Sequence, residues 1–289
     1  ILDIILTPIY VIIILAIANY KKNKHISENP IYKYYVKGLA VKIFAGIIFC
    51  LIYVYYYGGG DTLFYYNGAK CFSNLLFRSP EKFIKVFING PEEKYYDMFD
   101  FIVGYPPLWL YKEIYALNVM KITTVFLILS FQSYIVATIL MSWVVYSGIW
   151  RLYVMFCELY PTLYNHFAVA VLFVPSVVFW GSGILKDPIS LSAMCWYTYS
   201  LYELFVKKRN IYTNILRYVL SLYFIFAVKP YILYAIIPGS ILWISYDKIK
   251  SIKSGFVRFL VAPSIIAIAF FALAFFYNTL GDKLGKFSV

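Results

Sequence analysis

An acidic residue directly after three glycines is the position whose chemistry stands out most in this chain. The glycines at 58–60 end a long apolar run, Asp61 follows at once, and Tyr65 and Tyr66 come soon after it. Three consecutive glycines weaken a helix, so we expect the backbone to leave the helix here and to approach a ligand closely. A carboxylate at the end of a membrane span is costly enough to be a candidate functional group. Asp61 would equally serve as a helix cap, and the residues alone leave both interpretations open.

Two lysines at the ends of apolar runs form the second signal. Lys186 and Asp187 separate two apolar runs with almost no loop, and Lys229 stands in a similar way just before Pro230. A lysine ammonium is a compact cation with three donors, which suits a phosphate. Snorkelling of Lys186, helix capping by Asp187 and a simple turn at Lys229 are the plain alternatives. We favour a shared substrate site, because these residues and Asp61 all fall on one predicted side of the membrane.

Other classes of site have little support in the sequence. His25 and His166 have no ligand or triad partners at a recognisable spacing, and there is no phosphate-binding loop, dinucleotide fingerprint or serine elbow. The four cysteines show no CxxC spacing, which argues against a zinc site or a disulfide framework. We expect no metal site and no cofactor. The acids at 92–100 could bind a divalent cation together with Asp61, but a solvated loop face explains them more simply.

The elements that must position these residues are membrane helices. Of the 289 residues, 62% are hydrophobic and 14% are charged, and the mean hydropathy is +0.73. Such a chain lacks the polar residues that a soluble protein of this size places on its surface. The formal net charge of +12 comes from basic residues in short segments between apolar runs. This pattern predicts membrane orientation rather than nucleic-acid binding.

We predict an all-α, polytopic membrane protein with about eight transmembrane helices in a single domain, 1–289. The apolar runs of spanning length are 4–19, 39–57, 122–146, 163–183, 188–206, 212–228, 231–246 and 259–277. The connections that are rich in Lys and Arg, and therefore expected to be cytoplasmic, are 20–38, 147–162, 207–211 and 247–258. The sequence begins at Ile1 and stops shortly after an apolar run, so we expect it to be part of a longer chain.

The opposite face holds a long extracytoplasmic loop, 58–121, and most of the acidic residues. Within this loop, SPEKFIKVF at 79–87 has a capping-type start and helix-spaced Phe83, Val86 and Phe87. It predicts a short amphipathic helix that lies on the membrane surface. The acids of this face are Asp61, Glu81, Glu92, Glu93, Asp97, Asp100, Glu113, Asp187 and Asp282.

On these residues the chain resembles the multispanning, lipid-sugar-dependent glycosyltransferases of the GT-C type and related bacterial polysaccharide polymerases. In that superfamily an acid sits in the first long extracytoplasmic loop, and Asp61 in GGGDTLFYYNGA occupies the matching place. The runs FWGSGILKDPISL at 179–191 and VKPYILYAIIP at 228–238 also resemble segments of bacterial envelope proteins of this kind. The similarity covers positions 39–246 and rests on short motifs.

The resemblance implies a sugar donor carried on a polyprenyl phosphate or diphosphate, a glycan acceptor from the periplasm, and a place in the bacterial inner membrane. It implies that Asp61 deprotonates or positions the acceptor hydroxyl. Lys186 and Lys229 would neutralise the departing lipid phosphate, while Tyr65 and Tyr66 would contact sugar rings. Many members carry paired acids in that loop, whereas a threonine follows Asp61 here, so the sequence does not identify a second acid.

Two other functions stay open at the level of sequence. One is a transporter or flippase of a lipid-linked sugar, which requires charged residues along a path through the membrane. The other is a non-catalytic membrane subunit of an envelope assembly. In each case membrane lipid is the expected surrounding and no nucleic acid is expected as a partner.

Overall fold

The protein is all-helical over the residues that the structure describes. The computed structural model describes residues 2–250 and, beyond them, the positions 255, 260, 261, 263, 264, 266–268, 270 and 271. The helices are α1 Leu2–His25, α2 Tyr35–Leu51, α3 Asp61–Arg78, α4 Pro80–Ile88, α5 Glu93–Tyr96, α6 Leu108–Lys112, α7 Ile114–Leu129, α8 Tyr134–Leu159, α9 Tyr164–Phe167, α10 Pro175–Trp180, α11 Lys186–Leu201, α12 Ile211–Val228 and α13 Tyr231–Lys250. Three of them continue as π-helical turns, over Ile52–Tyr56, Ala168–Leu172 and Tyr202–Lys207.

Four helical stretches in the described part of the chain are long and apolar enough to cross a membrane. They are Asp3–His25, Pro30–Tyr56, Tyr134–Leu159 and Ile211–Val228. A bilayer core about 30 Å thick needs roughly 20 apolar residues at 1.5 Å each, and these stretches approach or exceed that length. Two shorter apolar helices, Ile114–Leu129 and Tyr231–Tyr246, accompany them. These lengths and compositions are those of a membrane protein.

Several predicted runs coincide with observed helices. The runs 4–19, 212–228 and 231–246 each fall inside a single helix, and 39–57 follows α2 into its π-helical end. The run 188–206 lies in α11 and its π-helical extension. About half of 259–277 and all of 251–258 except position 255 lie outside the described residues.

Two predicted spans are wrong as single helices. The run 122–146 covers the end of α7 and the start of α8, because a turn intervenes in which Phe131 and Gln132 have φ angles of 52° and 61°. Ser133 then caps α8 by accepting a hydrogen bond from the backbone N–H of Val136 at 3.2 Å. The run 163–183 is broken into short pieces, of which α10 begins at Pro175.

The core is organised around α8, which packs against both α2 and α11. Gly148 lets α11 approach so closely that an added Cβ would lie 2.5 Å from the Ser192 carbonyl oxygen. Near the other end, the hydroxyl of Tyr202 donates to Glu158 at 3.3 Å. Both pairs have the same sequence offset, so α8 and α11 run parallel. α2 runs antiparallel to α8, since Cys50 contacts Thr138 while Tyr146 donates to the Tyr35 carbonyl.

The 58–121 segment is folded rather than loose. Its helix α3 packs on α7, where a Cβ added at Gly68 would collide with the Met120 side chain. The predicted helix at 79–87 is observed as α4, but its apolar face contacts the protein itself: Val86 is fully buried. This corrects the expectation that this face rests on the membrane, although Ile84 and Ile88 stay exposed.

Candidate functional site

Lys186 is held by an acid from a distant part of the chain. Its ammonium donates to both carboxylate oxygens of Glu113, at 2.8 and 2.9 Å. Glu113 immediately precedes α7 and Lys186 begins α11, so the pair joins two helices across the fold. The lysine side chain is 23% exposed and the glutamate 43% exposed. The cation is therefore the more enclosed member of the pair.

Lys229 forms a second pair with the neighbouring acid. Its ammonium lies 2.6 Å from Asp187, and again the cation is more enclosed, at 17% against 57% exposure. Burial lowers the pKa of Lys229, but the hydrogen bond and the charge of Asp187 outweigh burial and raise the pKa overall. Each of the two lysines therefore has an acidic partner. Because Lys186 and Asp187 are adjacent, the two pairs form one group.

Tyr65 connects this group to Asp61. The tyrosine is only 4% exposed, and burial is the main cause that raises its pKa. The negative charges of Asp61, Glu113 and Asp187 raise the pKa further, so all three carboxylates lie within electrostatic reach of the Tyr65 phenol. The structure therefore brings the predicted residues Asp61, Tyr65, Lys186, Asp187 and Lys229 into one region, which we call the ion-pair site together with Glu113.

Asp61 is the first residue of α3 and is not tied to a partner. The preceding Gly60 has a φ of 107°, which favours glycine, and serves as the N-cap. The carbonyl of Gly60 accepts hydrogen bonds from the backbone of Leu63 and Phe64. Within the described residues, the exposed Asp61 carboxylate makes no hydrogen bond and no ion pair. The N-cap position therefore belongs to Gly60, and the Asp61 carboxylate is available to a ligand.

Tyr66 points elsewhere. Consecutive residues of a helix are about 100° apart around its axis, so Tyr65 and Tyr66 face different neighbours. The hydroxyl of Tyr66 donates to the Gln132 carbonyl at 3.1 Å, and its ring centroid is 5.1 Å from that of Tyr134. In this structure Tyr66 packs against the turn between α7 and α8, and the contacts it makes are structural.

The ion-pair site lies some distance inside the helix bundle, measured from the end where α8 begins. Six residues after Lys186, Ser192 contacts Gly148, and α11 runs parallel to α8. Lys186 is therefore level with about Ser142, whose hydroxyl donates to the Ser182 carbonyl at 2.8 Å. At 1.5 Å per residue this level is roughly 12 Å from the start of α8. The short connection at 181–185 thus turns inside the bundle rather than at its surface.

Lys42 is a functional candidate that sequence reasoning missed. It lies within a candidate span, is 3% exposed, and donates to the Gly181 carbonyl and, at 3.4 Å, to Ser182 Oγ. No carboxylate pairs with it among the described residues. A charged residue inside a span is rare enough to suggest a function, and a single Lys within the apolar run 39–57 was the available signal. Lys42 fixes the break between α10 and α11, and so supports Lys186.

Glu113 was also missed as a site residue. Its position before an apolar helix marked it as one of several acids on that face, but its partner lies 73 residues away in the chain. Nothing in local spacing indicates such a pairing.

The described residues contain no group of three or more His, Cys, Asp or Glu side chains that could hold a metal ion. In the 92–100 segment, Glu92 is paired with Lys94 at 2.6 Å. Asp100 accepts from the backbone of Ile102 and Val103.

Comparison with known proteins gives this chain no relative. No protein-family model, no curated protein and no solved structure matches it. The function of the chain is therefore inferred from the positions and contacts of its own residues.

Proposed function

We propose that the chain is an integral membrane glycosyltransferase or polysaccharide polymerase that uses a polyprenyl-linked sugar donor. The observation that supports it most is the exposed Asp61 carboxylate of the ion-pair site, which has no hydrogen-bond or ion-pair partner among the described residues. In the proposed reaction the acceptor oxygen bonds to the anomeric carbon of the donor, and the bond from that carbon to the phosphate oxygen breaks. The acceptor proton moves to Asp61, and the bonding electron pair leaves on the phosphate.

Asp61 suits the role of base better than its neighbour Tyr65. Because burial and three nearby carboxylates raise the pKa of Tyr65, its phenol stays protonated at physiological pH. A protonated phenol donates hydrogen bonds and does not remove protons. We assign Tyr65 the role of holding a sugar hydroxyl or the donor, and Asp61 the role of taking the proton.

The two lysines would bind the donor phosphate by exchanging partners. Each ammonium is enclosed while its carboxylate is largely exposed, so Glu113 and Asp187 can return to water at small cost. Both the present pairs and a lysine–phosphate contact are charge-assisted hydrogen bonds, but a phosphate offers more acceptor oxygens and can carry more negative charge than one carboxylate. An incoming phosphate therefore competes well for Lys186 and Lys229 and would be stabilised as it departs.

The membrane arrangement we propose keeps about eight spans. Four of them are the helical stretches that are long and apolar enough to cross a membrane. The remaining crossings would come from α11, α13, the 259–277 run and the broken α9–α10 segment, whose connection to α11 at 181–185 is buried in the bundle. The basic connections would face the cytoplasm, and the ion-pair site would open to the periplasm of a bacterial inner membrane.

A transporter of a lipid-linked sugar is the second candidate function. Lys42 favours it, because this buried cation lies inside a span and holds the broken connection between α10 and α11. Discontinuous helices with charged residues at membrane depth are typical of transporters. We rank it second because Asp61, the free carboxylate, lies at a helix start next to the exposed Tyr55–Tyr57 stretch rather than along a path.

The test is Asp61→Asn, assayed by glycan formation in cells that carry only the variant. Asn keeps the size and capping ability of Asp but cannot accept the proton, so transfer should fall about 10²–10⁴-fold while the protein level is unchanged. The matched control is Asp97→Asn, an exposed acid of the same 58–121 segment with no ion pair among the described residues.

Normal glycan with normal amounts of the Asp61→Asn protein would contradict the catalytic role. Loss of glycan together with accumulation of the lipid-linked sugar on the cytoplasmic side of the membrane would favour the transporter. A loss shared equally by Asp97→Asn would indicate a general dependence on surface charge.

A further inference from the structure

A cavity of about 340 Å³ lies at the end of the bundle opposite to the start of α8. We call this end the basic end, because it carries His25, Arg151 and Arg209. Cavities that bind small molecules are typically about 300–1,000 Å³. The cavity shares no residue with the ion-pair site, so it requires an explanation of its own.

Arg151 is the cation of this cavity that lacks an acidic partner. Its guanidinium lies 5.3 Å from the Tyr199 ring and 5.7 Å from the Trp196 ring, and it donates a hydrogen bond to the Tyr199 hydroxyl at 3.5 Å. No carboxylate forms an ion pair with it among the described residues. Aromatic rings fix the orientation of a guanidinium without using up its donors. Arg151 therefore presents a free, oriented fork of N–H groups to the cavity.

Two of the three acids in the cavity wall, Glu158 and Glu203, are paired with another arginine. Arg209 donates to Glu203 at 2.6 and 2.7 Å and to Glu158 at 2.7 and 2.8 Å. Lys207 adds a weaker contact to Glu158 at 3.9 Å. Glu203 influences Arg151 only over a longer distance, and Glu28 is exposed at the rim. Arg209 and Lys207 thus compensate Glu158 and Glu203, which leaves Glu28 as the acid of the wall without an ion pair among the described residues.

A second cation and a histidine stand behind Arg151. Lys21 is close enough for its charge to repel that of Arg151, and it too lacks a carboxylate partner in the described structure. His25 Nδ1 lies 2.9 Å from the Lys21 carbonyl oxygen, which can only accept, so Nδ1 carries the proton. Two cations held near each other, neither of them ion-paired among the described residues, create a local site for negative charge.

We propose that this cavity binds a phosphate group, held by the fork of Arg151 in the cavity wall. The phosphate belongs either to a soluble phosphorylated molecule or to the headgroup of an anionic lipid, because both present the same oxygens. Arg151 is eight residues from the end of α8, which is roughly 12 Å at 1.5 Å per residue. A soluble phosphate and a lipid headgroup can both reach this depth. This proposal does not depend on the transferase activity of the ion-pair site.

The experiment measures ligand-induced thermal stabilisation of the purified full chain in detergent micelles. The soluble probe is inorganic pyrophosphate, and the lipid probe is dioleoylphosphatidic acid compared with dioleoylphosphatidylcholine. Stabilisation by pyrophosphate identifies the soluble source, and stabilisation by phosphatidic acid alone identifies the lipid. The proposal is overturned if neither phosphate probe stabilises the protein beyond the phosphatidylcholine control.

Arg151→Gln should lower the affinity for the probe that stabilises the protein about 10- to 100-fold, since the change removes a charge-assisted, bidentate contact. The matched control is Arg217→Gln. Arg217 also lies over the Trp196 ring, at 5.3 Å, and also lacks a carboxylate partner in the described structure, yet it does not line the cavity. Its removal should leave binding unchanged, and an equal loss in both variants would overturn the assignment to the cavity.

Arg151→Lys serves where Arg151→Gln does not fold. It keeps the charge but loses the planar fork, so binding should weaken several-fold and not disappear. Binding at full strength in this variant would contradict the role of the guanidinium.

Discussion

At the scale of single residues, the site depends on how unequally its ion pairs are exposed. Lys186 and Lys229 are mostly enclosed, while Glu113 and Asp187 reach water. If a phosphate is to replace the carboxylates, the lysine must stay in place and its carboxylate must be free to move away. Lysines that merely stabilise the fold would need their carboxylates whether or not a ligand is present.

This distinction predicts opposite effects from the two halves of one pair. Lys186→Ala should lower the affinity for undecaprenyl phosphate about 10- to 100-fold, because one charge-assisted phosphate contact is lost. Glu113→Gln should leave that affinity unchanged or raise it, because the competing anion is gone. Lipid binding to the purified variants gives the comparison, with thermal unfolding as the measure of folding. If both variants lose stability to the same extent and neither alters lipid binding, the pair is only structural.

The sequence was sufficient to predict some of these residues but not their partners. Asp61, Lys186 and Lys229 were identifiable because a charge between apolar runs is costly. Glu113 was not, because its contact with Lys186 depends on how α7 and α11 are brought together in three dimensions. For Tyr66 the sequence indicates a residue type that can contact a sugar, but it does not indicate the direction of the side chain. In the structure the Tyr66 hydroxyl donates to the Gln132 carbonyl.

At the scale of elements, the position of the ion-pair site follows from the close contact between α8 and α11. Gly148 has no side chain to separate the two helices, and Ser192 lies directly against it. Small residues at such crossings allow backbones to approach in membrane proteins. The depth of Lys186 in the bundle depends on this contact, because α11 begins only six residues earlier.

Gly148→Ala should therefore destabilise the protein by about 1–3 kcal/mol, because its Cβ would meet backbone that cannot move aside easily. Thermal unfolding in detergent measures the change. The control is Gly239→Ala in α13, where no atom lies within 4 Å of the added Cβ. That change should be neutral or stabilise by up to about 1 kcal/mol. Equal melting temperatures for the two variants would show that the crossing is not tightly packed.

Hydropathy predicted where helices exist better than where they end. The run 122–146 was read as one span because apolar residues continue through the turn at Phe131 and Gln132. A run of apolar residues contains no information about a change in chain direction. Ser133 was the local signal for a new helix start, and its capping bond to Val136 supports that reading.

At the scale of the whole molecule, the two candidate sites lie at different levels of one bundle. The ion-pair site is nearer to the start of α8, and the phosphate cavity is nearer to its end. The basic end carries the residues that the charge rule assigns to the cytoplasm. Since Pro30–Tyr56 is long enough to span, the 20–29 segment and the 58–121 segment are expected on opposite sides of the membrane.

The account depends above all on the Asp61 end facing away from the cytoplasm, and cysteine labelling in intact cells tests this directly. Cys71 is replaced by Ser, since the other three cysteines are buried, and single cysteines are placed at the exposed positions Asn23 and Asp97. A membrane-impermeant maleimide should label Asp97→Cys in intact cells and Asn23→Cys only after permeabilisation. Labelling of Asn23→Cys from outside, with Asp97→Cys protected, would contradict the orientation and with it the proposed periplasmic transfer.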